Sequence, residues 1–228
     1  KILAEFHQQS LTRVMNPHFM FNALNSVNSY IVNNRTNDAT YFVKQIGDLI
    51  RQIFNSAYHK EITLEKEAKL LNSYLSLEQR RSNSYFNFII KVEPDLEQFT
   101  IPSIMIQIFA ENSIIHGFSD LKIRGALLMI QFKKVGEMVE CIILDNGIGR
   151  KKANEFKTEK SNKRELHGLK VIEERIKLLN IHNPKQKILF EVIDLQNHLT
   201  REAKGTKVIL KFPYQRGIKL IGEQEKNL

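Results

Sequence analysis

Five short stretches of this chain carry residues whose types and spacing could do chemistry. The first is Asn16-Pro17-His18-Phe19-Met20-Phe21-Asn22-Ala23-Leu24-Asn25. It has a histidine directly after a proline, inside an otherwise helical apolar run. Proline removes a helix hydrogen bond and biases Asn16 away from helical angles, so the segment is not written for a straight helix. A neutral imidazole is a nucleophile at pH 7; a kinked core helix with a satisfied histidine is the plainer alternative. The second is Glu111-Asn112-Ser113-Ile114-Ile115-His116-Gly117. Asn112 and His116, four apart, share a helical face, and an asparagine carbonyl oxygen suits Mg²⁺. A buried amide satisfied by backbone is the alternative there. The third is Asp145-Asn146-Gly147-Ile148-Gly149, directly after an apolar run. An aspartate at a strand end can accept from an exocyclic amine, and two glycines let backbone approach a flat ring or phosphates. An ordinary Asn-Gly turn is the competing reading. The last two are Gly168-Leu169, expected to open a helix whose free N–H groups attract anions, and Gly205-Thr206 before the final strand.

These stretches need elements to hold them. With 228 residues, 42% apolar and 26% charged, the chain has the make-up of a soluble globular protein with a real core. The formal net charge of +9 suits an anionic ligand, nucleic acid or an anionic surface. The single cysteine, Cys141, rules out a disulfide framework. Residues 14–34 carry no Asp, Glu, Lys or Arg, yet their asparagines make them too polar to span a bilayer. The chain begins at Lys1 partway into a helix and reads as a fragment.

Up to about Ser82 the pattern is helical. Ala39, Phe42, Val43, Ile46, Leu49, Ile50, Ile53 and Phe54 form one wide apolar stripe, with Asn37 or Asp38 expected to cap it. Thr63 is expected to cap a further helix that buries Leu64, Ala68, Leu71 and Leu75. Glu78 continues that stripe and is expected to make a partly exposed salt bridge to Arg81. From Ser84 the period changes to two. Strands are expected at Phe86–Val92, Leu127–Lys134, Met138–Leu144, Ile188–Ile193 and Thr206–Phe212. Met138–Leu144 is apolar on both faces, which places it centrally. Helices are expected from about Ser103 to His116, with Gly117 as its cap, and over Leu169–Asn180. Residues 150–166 read as a long basic loop able to close over an anion. The fold class is thus α+β: a helical part, then a mixed sheet with helices on one face.

Taken in order, these residues resemble the LytS-type sensor histidine kinases, whose ATP-binding domain is shared with the gyrase, Hsp90 and MutL ATPases. Asn16 to Asn25 resembles that family's phosphoacceptor signature almost letter for letter. Tyr74-Leu75-Ser76-Leu77-Glu78 matches its next landmark, Glu111–Gly117 the N box, Asp145–Gly149 the first glycine box, Gly168-Leu169 the second and Gly205-Thr206 the closing motif. The resemblance covers about residues 11–213. It implies a dimerising helical hairpin and phosphotransfer region over 1–82, a Bergerat-type ATP-binding α/β sandwich over 83–213, and a basic tail over 214–228. It further implies that His18 is the catalytic phosphoacceptor and that Asn112 holds Mg²⁺. Asp145 would recognise adenine, and His116, Gly117, Gly147, Gly149, Gly168, Leu169 and Thr206 would line the ATP site. The partners implied are a second copy of the chain and a response regulator, often of LytTR type. Direct nucleic-acid binding is not implied, and a membrane anchor would lie only upstream, leaving this chain as the cytoplasmic portion of a bacterial inner-membrane protein.

Three positions depart from the pattern: Val14 where glutamine is usual, Ile115 where lysine often precedes the histidine, and a lone glycine in His167-Gly168-Leu169. Ile108 stands four residues before Asn112, where the related ATPases carry a water-activating glutamate; this disfavours a dedicated ATP hydrolase. The base that would take the imidazole proton is not identifiable from sequence: no acid adjoins His18, since Phe19 follows it, and Glu111 is no more than a candidate. A flexible joint is expected near Ser82–Asn87. Two rivals remain: a degenerate ATP-binding dimeric scaffold without phosphotransfer, and a basic nucleic-acid-binding module. The second lacks a recognition-helix, aromatic-platform or zinc pattern.

Overall fold

The computed structural model describes residues 17–82, 85–118, 125–150, 162–196 and 203–214, with backbone alone at 17, 18, 162–168, 171 and 203. Helix α1 (Pro17–Val32) turns through Asn33-Asn34 into α2 (Thr36–Tyr58). Asn34 takes the left-handed conformation at φ 55°, which asparagine tolerates better than most residues. Neither Asn37 nor Asp38 caps α2. Arg35 occupies that position without a side-chain cap bond, and Asp38 lies in the first turn, 2.8 Å from Arg35 Nε. The helix buries Ala39, Phe42, Leu49, Ile53 and Ala57 but leaves Val43 and Phe54 in solvent. On α1, Phe21, Leu24, Ile31 and Val32 are likewise exposed, at 55–72%. The described residues thus leave part of the apolar stripe exposed.

Thr63 caps α3 (Leu64–Arg81) as expected, its Oγ1 accepting the Lys66 N–H at 3.3 Å. Glu78 pairs with Arg81 at 2.6 Å, but it is buried at 4% exposure and not partly exposed. The stripe that carries it is covered on both sides, by the hairpin and by the sheet, which a single-helix pattern cannot reveal.

Two three-residue strands, β1 (Glu61–Thr63) and β3 (Thr100–Pro102), pair antiparallel beside the start of α3. They are too short to show a period. Around them the Leu64 N–H donates to Phe99 O, the Glu65 N–H to Glu97 O, and the Ser103 hydroxyl to His59 O.

The main sheet comprises β2 (Phe86–Val92), β4 (Ala126–Val135), β5 (Met138–Asp145), β6 (Leu189–Gln196) and β7 (Ala203–Pro213). Its order is β2-β4-β5-β7-β6, so β5 is central as its two apolar faces predict. The β2–β4 pair is parallel and the others antiparallel, which makes the sheet mixed. Register aligns Ile90, Ile130, Ile143, Val208 and Val192 in one cross-strand row, and Val92, Phe132, Cys141, Leu210 and Phe190 in the next. These rows face the helices and form the core. Burying each such side chain contributes about 1.5–3 kcal/mol. The opposite face carries the charged row Lys133–Glu140–Lys211, with both ion pairs at 3.2 Å. Flanked by two lysines, the Glu140 carboxyl lies below its ordinary range despite some desolvation.

Helix α4 (Gln107–Asn112) starts four residues later than the sequence predicts, and continues as a π-helical turn over Ser113–Gly117. The delay is caused by Ile104, a β-branched residue held at φ 58°, outside helical space. Helix α5 (Asn162–His182) starts earlier than expected. Lys163, Arg164, Glu165 and Leu166 are good helix formers and carry it through Gly168. Among the described residues no helix is long and apolar enough to cross a membrane.

Candidate functional site

Asp145 ends the central strand in the core-facing row, between Leu128 and Thr206. It is 5% exposed, a carboxylate at the rim of an apolar layer. Such a group must be hydrogen-bonded, and it is. Its Oδ1 accepts the N–H groups of Gly147 at 3.0 Å and Thr206 at 3.2 Å, while Oδ2 accepts the Ser113 hydroxyl at 3.2 Å. Burial pushes its pKa above the ordinary value, opposed by these three donors. Three sequence motifs thus meet on one carboxylate: the π-helical turn through Ser113, the Asp145–Gly149 loop, and Gly205-Thr206, which lies inside β7 and not before it as expected, through Thr206.

Glycines make that meeting sterically feasible. A Cβ on Gly147 would enter the Gly117 carbonyl oxygen, and one on Gly205 would enter the Asp145 carbonyl oxygen. A Cβ on Gly117 would stand 3.2 Å from Asp145 Oδ1. Gly117 is therefore a close-approach residue and not the helix cap expected of it; its φ is not left-handed. Its carbonyl instead accepts the Ile148 N–H at 2.9 Å, tying loop to turn. Gly149 sits at φ 74°, where only glycine is comfortable. Asn146 bonds the Leu127 N–H and Gly125 O, pinning the loop to the start of β4.

Asn112, at the end of α4, has a buried Nδ2 with no hydrogen-bond partner among the described residues. The backbone-satisfied amide of the plainer reading is therefore not what is observed. An amide left unlocked by the protein can turn either its oxygen or its nitrogen toward a ligand. The donor set fits Mg²⁺ only in the sense usual for that ion, with one side-chain oxygen and the remainder from phosphate and water. Among the described residues no three His, Cys, Asp or Glu side chains gather as a metal site. His116 is half-buried in the π-helical turn.

Leu169 packs against the core. Gly168 does not open a helix: it lies in the second turn of α5, so its N–H is not one of the free N-terminal donors. Of the expected basic loop, residues 151–161 lie outside the described residues. Arg150 is held bidentately by Asp194 at 2.7 and 2.9 Å. His18 is placed by backbone alone, in the first turn of α1. The site residue that pattern reading missed is Ser113, whose signal was its position one past Asn112 on a helix aimed at the strand end.

Residues 6–86 match the family model described as histidine kinase. The chain is 32% identical over 149 residues to the sensor histidine kinase/phosphatase LytS of Staphylococcus aureus, an alignment covering 65% of this chain and 25% of that protein. The chain is thus similar to the LytS-type histidine kinases. It spans about a quarter of the length of the LytS relatives it matches. Solved histidine kinases with some likeness include mycobacterial MprB, at 14% identity, TM-score 0.46, 68% of this chain and 97% of that one. Another is ThkA in complex with the response regulator TrrA, at 12% identity, TM-score 0.40, 89% of this chain and 61% of that one. The histidine-kinase match over 6–86 includes the Asn16–Asn25 stretch, while the Asp145 hub lies outside it.

Proposed function

We propose that this LytS-like chain is the core of a two-component protein-histidine kinase. In this reading His18 takes the γ-phosphoryl group of ATP and passes it to an aspartate of a response regulator of LytTR type. The observation that carries the reading is the Asp145 hub: a buried carboxylate at a central strand end, ringed by glycines that admit no side chain. An adenine amine would donate to Oδ2, whose one partner among the described residues is Ser113. Asn112 would hold Mg²⁺, which neutralises phosphate charge when bound. The π-helical turn and His116, Gly117, Gly147, Gly149, Gly168, Leu169 and Thr206 would shape the pocket around the nucleotide.

What the chain itself contributes is then positioning. A neutral nitrogen of His18 attacks the γ-phosphorus while its bond to the β–γ bridging oxygen breaks, and ADP leaves with the electron pair. Residues 1–82 serve as stem and 83–213 as ATP-binding domain. The exposed apolar residues of α1 and α2 support a homodimer through these helices. The LytS likeness supports placing this chain as the cytoplasmic portion of a membrane sensor.

Incubation with Mg²⁺ and γ-labelled ATP tests the proposal. Acid-labile, base-stable label is expected, and it must vanish in His18→Gln. Label that persists in that variant refutes the role of His18. ATP binding without label supports the scaffold instead.

A further inference from the structure

The transfer just proposed needs a group to take the imidazole proton, and the residue after His18 is Phe19, so the chain offers no adjacent acid. The packing of α1 supplies one from another helix. Phe19 lies against Tyr74 of α3, ring centroids 5.6 Å apart. Tyr74 is buried, and Glu78, one helical turn on, shares its face. The same polar cluster includes Arg81, Glu111 and Tyr85, whose charges or dipoles all act on Tyr74. Burial and the two carboxylates push the Tyr74 hydroxyl well above its ordinary range, so it remains a phenol. Within this cluster Glu78 has an unusual arrangement. Arg81 donates twice, from Nε at 3.1 Å and Nη2 at 2.6 Å, and both bonds land on Oε2. The guanidinium thus balances the buried charge while leaving Oε1 to another donor.

We propose that Glu78 accepts the proton that His18 releases, with Arg81 and Tyr74 as positioning residues; the inference rests on the kinase reading above. As the P–N bond forms and the γ-phosphorus to bridging-oxygen bond breaks, the remaining imidazole N–H is acidified. Its proton passes to Glu78 Oε1, and ADP carries away the electron pair. The Tyr74–Glu78 landmark then acquires a chemical role. It is the platform on which the phosphoacceptor helix rests, and it presents the base one turn away.

The test compares wild type, Glu78→Gln, Glu78→Ala and the paired Glu78→Met/Arg81→Met variant in autophosphorylation with γ-labelled Mg-ATP. Mg-ADP affinity and melting temperature are measured alongside. The paired variant removes both charges together, which proteins tolerate well, so it keeps the comparison valid if a single variant unfolds. Every variant is expected to lose on the order of 100-fold or more in rate, the scale of general-base catalysis. Mg-ADP affinity should stay within about twofold in the folded ones, a threshold small against that loss. Formate should restore rate to Glu78→Ala and not to wild type, which a structural role would not produce. Wild-type label with near wild-type rate in the folded variants overturns the inference alone, as does a rate loss without formate rescue. Absence of label in wild type overturns the kinase reading and this inference together.

Discussion

Replacing Asp145 by asparagine separates what its carboxylate does for the fold from what it does for a nucleotide. The amide keeps Oδ1, and with it the N–H bonds from Gly147 and Thr206. Only Oδ2 changes, from acceptor to donor. Ser113 can absorb that change, because its hydroxyl also reaches Phe109 O at 3.1 Å. It can donate there and accept from the new amide, so the fold should lose no more than about 1 kcal/mol. An adenine amine has no such escape, since it would meet another donor. A hydrogen bond to a charged group is worth about 1.5–3 kcal/mol, which corresponds to about a 10- to 150-fold weaker Kd. Calorimetric titration with Mg-ATP should show that loss with little change in melting temperature. Titration with Mg-ITP, which carries a carbonyl in place of the amine, should show a much smaller loss or a gain. Equal losses for both nucleotides, or an affinity within about threefold of wild type for ATP, well short of that range, would refute the assigned contact.

Other substitutions probe the surroundings. Gly147→Ala forces a methyl into the Gly117 carbonyl; it should abolish ATP binding and lower the melting temperature, whereas Gly136→Ala, at positive φ but in open space, should leave ATP binding intact. Glu67, fully buried with Oε1 on the Ile106 N–H and Oε2 without a hydrogen-bond partner among the described residues, has its pKa pushed from 4.5 to about 7 by burial. The folded state holds that proton more tightly than the unfolded chain. Stability should therefore fall as pH rises from about 4.5 to 7 and level off above, by on the order of 3 kcal/mol. Glu111, raised to about 8, acts in the same direction. Denaturant titrations across this range should show a shallower decline in Glu67→Gln; an unchanged slope would count against the buried ionisation. Paired Phe21→Lys and Leu24→Lys changes should convert a dimer to monomer in sedimentation while leaving Mg-ADP affinity unchanged.

Much of the site was legible because it is written locally. Asp145 follows a strand apolar on both faces, and its glycines are adjacent in sequence. The alternation of Val208, Leu210 and Phe212 against Lys207 and Lys211 placed β7 correctly, since a one-sided sheet imposes that period. The less legible parts depend on distant neighbours. The role of Gly117 is set by a loop about thirty positions away, the burial of Glu78 by two other layers, and the late start of α4 by a left-handed Ile104 that no propensity favours. The early start of α5 is hidden from pattern reading because a charged stretch of helix formers lacks an apolar stripe.

The small β1–β3 ladder has a mechanical consequence. The link from α2 to α3 runs through residues 59–63, and those residues are hydrogen-bonded to 100–103, the segment that leads directly into α4 and Asn112. The α1–α2 hairpin and α4 are thereby geared to each other at a point well removed from the covalent passage between α3 and β2. A few degrees of rotation in α2 would turn the base of α4 like a meshed wheel. On the proposed kinase reading, a stimulus arriving along the hairpin would then need neither to melt α3 nor to stretch the chain to reach Asn112.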